Sequence, residues 1–278
     1  MRILVCTKAD LPSLIALNRL LPALSAHTVE VVLTDKTRPA ERTQPELGVI
    51  KFLERDLPFR VLFPLVERSV RTGERPRLGT FAELSARHAV PVRNVRFINS
   101  GDGFALASSF APDLVLSIRF SLLFKRPMLD LPRYGILNLH PGPLPGYGGL
   151  FAIFRQMLAG QREITMTLHQ VDEGIDTGPV MTTTPMTIMP GRSMLWHVLR
   201  AYRTGVDALL DAVATLDGGR KLDAVPQDPG QFRYFRLPEP ELFQAFASAG
   251  LKLYDYDEYA DDVQAMFDIP LPSCVHAS

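Results

Sequence analysis

The stretch GILNLHPGPLPGYGG, residues 135–149, begins as an apolar strand and ends in prolines and glycines. Successive side chains of a strand point to opposite faces, so Leu137 and Leu139 share one side and Asn138 and His140 the other. Two polar groups are thus carried to one spot at a strand end. Beyond the turn, Leu150, Phe151, Phe154, Met157 and Leu158 recur at helical spacing, with Gly160 as the stop. A strand, a turn and an amphipathic helix are the repeating parts of a doubly wound sheet.

The same alternation extends in both directions. Upstream, RILVCT (2–7) reads as a first strand followed by an amphipathic stretch from Leu14 to Leu24, and VEVVLTD (29–35) as a second strand. A short helix is expected around 46–55, and a better one in TFAELSARHAV (80–90), where Thr80 and Glu83 form a capping box. PDLVLSIRF (112–120) is a buried strand. Downstream, EITMTLHQVD (163–172) returns as a strand, GPVMTTTPMTIM (178–189) is extended and expected to break at Pro185, and a long helix is expected from Ser193 to Leu216. The expected fold is α/β: a doubly wound, mostly parallel, Rossmann-like sheet spanning 1–217, with residues 218–278 as a small C-terminal extension.

Composition narrows the classes of function. With 46% hydrophobic and 22% charged residues in 278, the chain can bury a substantial core. The apolar part of MRILVCTKAD is too short for a signal peptide, and no run approaches the ~18 apolar residues of a membrane span, so a cytoplasmic location without membrane attachment is expected. Cys6 and Cys274 sit at opposite ends, which suits neither a disulfide framework nor a cysteine-built zinc site. The net charge is zero, but residues 221–278 hold 4 basic and 10 acidic side chains, and such a tail repels a phosphate backbone. No nucleic-acid partner is expected. The basic run RSVRTGERPR (68–77) reads as a solvated loop before it reads as an anion-binding arm.

In open α/β sheets ligands lie outside the carboxyl ends of the strands, and the polar residues gather there. Asn138 and His140 end one strand, His169 nearly ends the next, and DEGIDTG (172–178) leaves the same edge with three carboxylates. The turn TKADLPS (7–13) is not G-x-G-x-x-G, and neither a Walker sequence nor a G-x-S-x-G elbow occurs. A metal held by His140, His169 and Asp176 would lack the usual local spacing, and none is expected. Transfer of an acyl group between two nitrogens needs neither nucleophile nor metal. It needs donors aimed at a tetrahedral oxyanion and a carboxylate for the amine's proton, which Asn, His and Asp supply.

NLHPGPLP (138–145) followed by TMTLHQVDEGIDTG (165–178) resembles the formyltetrahydrofolate-dependent formyltransferases, marked by N-x-H-P and by T-x-H with an Asp seven residues after the His. The resemblance covers 80–216 and implies formyltetrahydrofolate as donor. It implies that Asn138 and His140 stabilise the oxyanion, that Asp176 handles the proton through water, and that His169 orients Asp176. It also implies a pterin cleft between RFSLLF (119–124) and the acidic loop, with Phe120, Leu122, Leu123, Phe124, Asp172, Gly174 and Ile175 as candidates and the backbone groups of Leu122 and Phe124 reading the ring edge.

Departures from the family pattern touch the acceptor side. TKADLPS offers no phosphate nest of the kind glycinamide ribonucleotide transformylase carries, Gly142 replaces the common Ser, and Tyr147-Gly148-Gly149 replaces an aromatic followed by a basic residue and Gly. Methionyl-tRNA formylation is disfavoured by the acidic end region, and with a first strand starting at residue 2 the N-terminal regulatory domain of the hydrolases is not expected. The expected partner is a small-molecule amine, an amino or hydroxylamino acid before a nucleotide-linked amino sugar whose phosphates the arginines of 68–77 would meet. Homodimerisation is left open. A folate-binding module without chemistry is the non-enzymatic rival.

Overall fold

The computed structural model describes residues 1–272, so Cys274 and His276 lie outside the described residues. The strands of the main sheet are β1 (Arg2–Lys8), β2 (Thr28–Thr34), β3 (Val92–Asn94), β4 (Leu114–Ile118), β5 (Ile136–His140), β7 (Glu163–Gln170) and β8 (Val180–Thr187), while β6 (Gly148–Gly149) and β9 (Tyr234–Phe235) pair separately. The sheet order is β3-β2-β1-β4-β5-β7-β8. β3, β2, β1, β4 and β5 are parallel; β7 and β8 close the sheet in antiparallel sense. This is the mostly parallel, doubly wound sheet expected from the alternation. Its strand order reverses between β1 and β4, and that point faces the ligand side.

Both faces of the sheet are apolar because both are covered. Ile3 and Val5 join one core and Leu4 and Cys6 the other, as the period of two requires. The larger core receives α1 (Leu11–Ala23), α5 (Phe81–His88), α7 (Ala152–Leu158) and the long α8 (Met194–Asp217); the smaller receives α6 (Gly101–Phe110) through Ala107. Ser193 caps α8, accepting from the Trp196 N–H, and Thr80 and Glu83 form the expected capping box on α5. Beyond residue 218 the chain adds α9 (Pro240–Ser248) and α10 (Tyr256–Phe267) to the same core. Phe243 and Phe246 lie on Phe154 with ring centroids 5.3 and 4.5 Å away.

Two local expectations are corrected, and one helix goes beyond them. The short helix at 46–55 belongs to a longer helical run, α3 (Pro45–Lys51), two wide π turns at Phe52–Asp56 and Pro58–Leu62, and α4 (Phe63–Arg71), which follows α2 (Ala40–Thr43) after an extended Gln44; the run takes in the first four residues of the expected loop at 68–77, and 72–77 is non-helical as expected. Pro58 has no N–H to give, and the i→i+5 pattern, with Leu57 N–H on Phe52 O and Phe63 N–H on Pro58 O, carries the helix past it. β8 does not break at Pro185, which pairs opposite Thr165; β8 is the sheet's edge, where a missing donor costs no ladder bond. Finally, α6 has no counterpart in the expected elements, since Gly, Ala and Ser dominate it and leave little apolar periodicity to read.

Candidate active site

The register of β5 against β7 sets Asn138 opposite His169 and His140 opposite Thr167, so the two imidazoles approach from neighbouring antiparallel strands. The loop after β7 then returns Asp176 between them. Asp176 Oδ2 stands 3.5 Å from His140 Nδ1, and its Oδ1 stands 3.6 Å from His169 Nε2. The four side chains singled out from their spacing therefore meet at one point.

The hydrogen bonds determine which atoms are free. Ser117 Oγ donates to Asn138 Oδ1 at 2.9 Å, which fixes the amide so that Nδ2 faces His169 Nε2 at 3.0 Å. His169 Nδ1–H donates to the Gln170 carbonyl at 2.7 Å, leaving Nε2 to accept from Asn138. One Nδ2 hydrogen of Asn138 remains for the cavity. His140 Nε2–H donates to the Tyr147 carbonyl at 2.7 Å, so only Nδ1 is left, and it faces Asp176. His169 thus holds the amide of Asn138 as well as standing beside Asp176.

Asp176 is held in an unusual conformation. Its φ is 56°, in the left-handed region that Asp and Asn tolerate better than most residues. Its Oδ2 accepts the Gly149 N–H at 2.8 Å, and its carbonyl accepts from Gln227 Nε2 at 2.9 Å, which also reaches the Gly178 carbonyl at 2.7 Å. Gly149 is in turn fixed by β9, which pairs with β6. The departures in the family pattern have a steric cause here. A Cβ on Gly142 would stand 2.8 Å from the Tyr147 oxygen that His140 uses, and one on Gly148 would stand 2.9 Å from the Phe232 ring.

Burial works to raise the Asp176 carboxyl, but in the acid range where it titrates His140 is cationic. That charge, the His169 contact and the Gly149 N–H hold it down at about 2. His140 is lowered by burial, against the opposing pull of Asp176.

Asn138, His140, Gly149 and Asp176 open on one cavity of about 430 Å³. Of the donor-side candidates, Phe120, Leu123 and Ile175 line it, whereas the Phe124 side chain is buried and Leu122 packs against the smaller core. The backbone groups of Leu122 and Phe124 make no hydrogen bond among the described residues; the Leu123 carbonyl accepts from Asn99 at 2.7 Å. Asp172 accepts from the Gly174 N–H at 3.0 Å and the Thr177 hydroxyl at 2.6 Å, so its carboxylate shapes the loop. No arginine of 68–77 lines the cavity, while Lys8, Lys36, Arg38, Glu54 and Arg119, none singled out from the sequence as a site residue, do. Arg119 was legible as a charge directly after a buried strand. His197 spends both ring nitrogens inside the fold, on the Ser193 carbonyl and the Met189 N–H.

Among the described residues no group of three His, Cys, Asp or Glu is arranged to hold a metal ion, and no helix is long and apolar enough to cross a membrane.

Residues 102–211 match the formyl transferase family model, which bears out the resemblance carried by Asn138, His140, His169 and Asp176. A methionyl-tRNA formyltransferase of Idiomarina loihiensis is 29% identical over 170 residues, 60% of this chain and 53% of that protein. The chain spans about half the length of the curated relatives it matches. Among solved structures, a glycinamide ribonucleotide transformylase from Symbiobacterium toebii superposes with TM-score 0.54 at 19% identity, covering 81% of this chain and 94% of that one. An N-formyltransferase from Helicobacter canadensis, in complex with folinic acid and dTDP-3-aminofucose, gives TM-score 0.54 at 15% identity, covering 84% and 71%. At these identities the solved structures are similar in fold.

Proposed function

We propose that the chain transfers a formyl group from formyltetrahydrofolate to the amine of a small acceptor, an amino or hydroxylamino acid. The observation that carries this reading is Asp176 standing 3.5 and 3.6 Å from two imidazoles beside an amide with one open hydrogen. These are the parts that acyl transfer between nitrogens requires.

The donor fits the residues present. Phe120, Leu123 and Ile175 give an apolar wall, and the uncommitted backbone groups of Leu122 and Phe124 suit a heteroaromatic edge. When bound, the folate supplies the formyl carbon. The chain's own part is electrostatic. The open Nδ2–H of Asn138 would donate to the formyl oxygen as negative charge grows on it. His140, neutral at rest because it is buried, takes the amine's proton at Nδ1, directly or through water. The imidazolium so formed is stabilised by Asp176, would add positive charge near the oxyanion, and holds the proton that the departing donor nitrogen takes up as its bond to the formyl carbon breaks.

The sugar-nucleotide reading has support from the Helicobacter canadensis likeness in fold, and the tRNA reading from the curated relatives. Against the first, the arginines of 68–77 stand away from the cavity; against the second, residues 221–278 carry a net charge of −6, from 4 basic and 10 acidic side chains. The test is incubation of the purified protein with formyltetrahydrofolate and an acceptor panel of amino acids, hydroxylamino acids, amino-sugar nucleotides and methionyl-tRNA, read by mass. A gain of one formyl group on an amino or hydroxylamino acid supports the reading. Formylation confined to another acceptor, or of none, overturns it.

A pH dependence follows from His140. Its proton acceptance requires the neutral ring, and burial lowers its pKa, so the His140 limb of kcat, read at saturating acceptor so that ionisation of the free amine does not enter, falls below pH 6.5, the ordinary histidine value. Stability moves the same way. Unfolding takes up a proton wherever the folded pKa is the lower, so stability is lost as pH falls below 6.5, and again from 3.8 towards about 2 as Asp176 titrates. A pH profile of kcat with its acid limb above pH 6.5 contradicts the assignment.

A further inference from the structure

Across the same cavity lies an ionic wall that formyl transfer does not itself use. Lys8 ends β1, Arg119 directly follows β4, and Glu54 comes from the first π turn; all three line the cavity. β1 and β4 flank the reversal in strand order, where open α/β sheets receive ligands. The wall is buried and partly committed. Arg119 Nε donates to Asp10 Oδ2 at 3.0 Å and its Nη2 to Glu54 Oε2 at 2.7 Å, with the Tyr202 ring centroid 5.0 Å from the guanidinium carbon. Arg119 Nη1 and Glu54 Oε1 make no hydrogen bond among the described residues, and neither is sealed from the cavity. Lys8 Nζ stands 3.8 Å from both Asp10 and Glu41, too far for either to take its hydrogens. Donors and an acceptor of opposite charge are therefore open side by side.

The arrangement of charge at this wall favours a zwitterion over a phosphate. The N-terminus of α1, directly after β1, is the natural anion site of this edge. Asp10 already fills it, accepting the Ser13 N–H at 3.0 Å from a fully buried position. Lys36, Arg38 and Lys51 also line the cavity, but at this wall Arg119 already spends Nε and Nη2 on Asp10 and Glu54, and a phosphate laid there would meet both carboxylates. A zwitterion adds no net charge and gives each open group a partner. We propose that Lys8, Arg119 and Glu54 form a subsite for the head group of an α-amino acid, its carboxylate on Arg119 Nη1 and Lys8 and its ammonium on Glu54 Oε1. This rests on the formyl-transfer reading in that the acceptor's second amine, on its side chain, is the one presented to Asp176. The pull of burial on Glu54 is upward, so an adjacent ammonium also keeps its carboxylate ionised.

Calorimetric titration of the full chain, without formyl donor, tests the subsite. The probes are diaminobutyrate, ornithine and lysine, the diamine putrescine, 5-aminopentanoate and dTDP. One of the diamino acids is expected to bind at least ~10-fold more tightly than putrescine, which lacks the carboxylate, and than 5-aminopentanoate, which lacks the α-amine. Lys8→Met and Glu54→Gln are each expected to weaken it ~10-fold or more while folinic acid binding is unchanged. Arg119 is left intact because its removal would strand Asp10 and Glu54. Equal binding of the single-charge analogues, tighter binding of dTDP, or no effect of either substitution overturns the subsite. Formylation by mass is scored separately. Diamino acid binding without formyl gain on any acceptor leaves the subsite standing and sinks the transfer reading, and formyl gain without that binding does the reverse.

Discussion

Replacing Asp176 by Asn is expected to lower kcat for formyl transfer on the order of 100-fold or more while leaving folinic acid affinity and the melting temperature nearly unchanged. The substitution is close to isosteric. Asn accepts the φ of 56° as readily as Asp, and its amide oxygen can still receive the Gly149 N–H. What disappears is the negative charge 3.5 Å from His140 Nδ1 and 3.6 Å from His169 Nε2. Without it, the imidazolium formed when His140 takes the amine's proton has no counter-charge in a buried site. A non-catalytic folate-binding module would lose nothing measurable, so the variant separates the two readings. Steady-state kinetics beside a folinic acid titration decide it: a kcat within ~3-fold of the parent removes Asp176 from the chemistry. A collapse of donor affinity would move its role to binding.

The convergence at Asp176 was legible because each part of it is local. The period of two put Asn138 and His140 on one side of β5, and the carboxyl-end rule brought His169 and the acidic loop to the same edge. The contacts that hold these groups in place are not local. Ser117 reaches Asn138 from the adjacent parallel strand, and Gln227 reaches the Asp176 carbonyl from 51 residues away. No spacing rule connects them. The helical run from Pro45 to Arg71 was hidden for another reason, since Pro58 reads as a stop and only the wide turns around it reverse that meaning. The ionic wall was obscured by charge balance. Lys8, Asp10, Glu54 and Arg119 look like solvated charges until the fold buries them together, and Arg119 directly after β4 was the one local hint.

The largest loss of stability is expected from Gly149→Ala. Gly149 has φ 95°, and a Cβ there would land on the Phe235 carbonyl oxygen, well inside contact distance. Because that neighbour is backbone, relief requires β9 to withdraw from β6. Withdrawal strains the Gly148 N–H bond to the Arg233 carbonyl at 2.9 Å and the Leu150 N–H bond to the Phe235 carbonyl at 2.8 Å. The strained φ and the lost pairing together cost about 3 kcal/mol, which lowers the melting temperature of a chain of this size by roughly 6–12 °C. Activity falls as well, by about 10-fold or more, because the Gly149 N–H that steadies Asp176 Oδ2 moves with its strand. Gly160→Ala is the matched control. Gly160 also has a positive φ, 67°, but a Cβ there meets nothing within 4 Å, so it pays only the conformational strain of about 1–2 kcal/mol and keeps full kcat. Equal losses in the two variants, in both melting temperature and kcat, would mean that β9 merely covers the loop. A loss of rate confined to Gly149→Ala instead makes the strand from the C-terminal segment part of how the carboxylate is aimed.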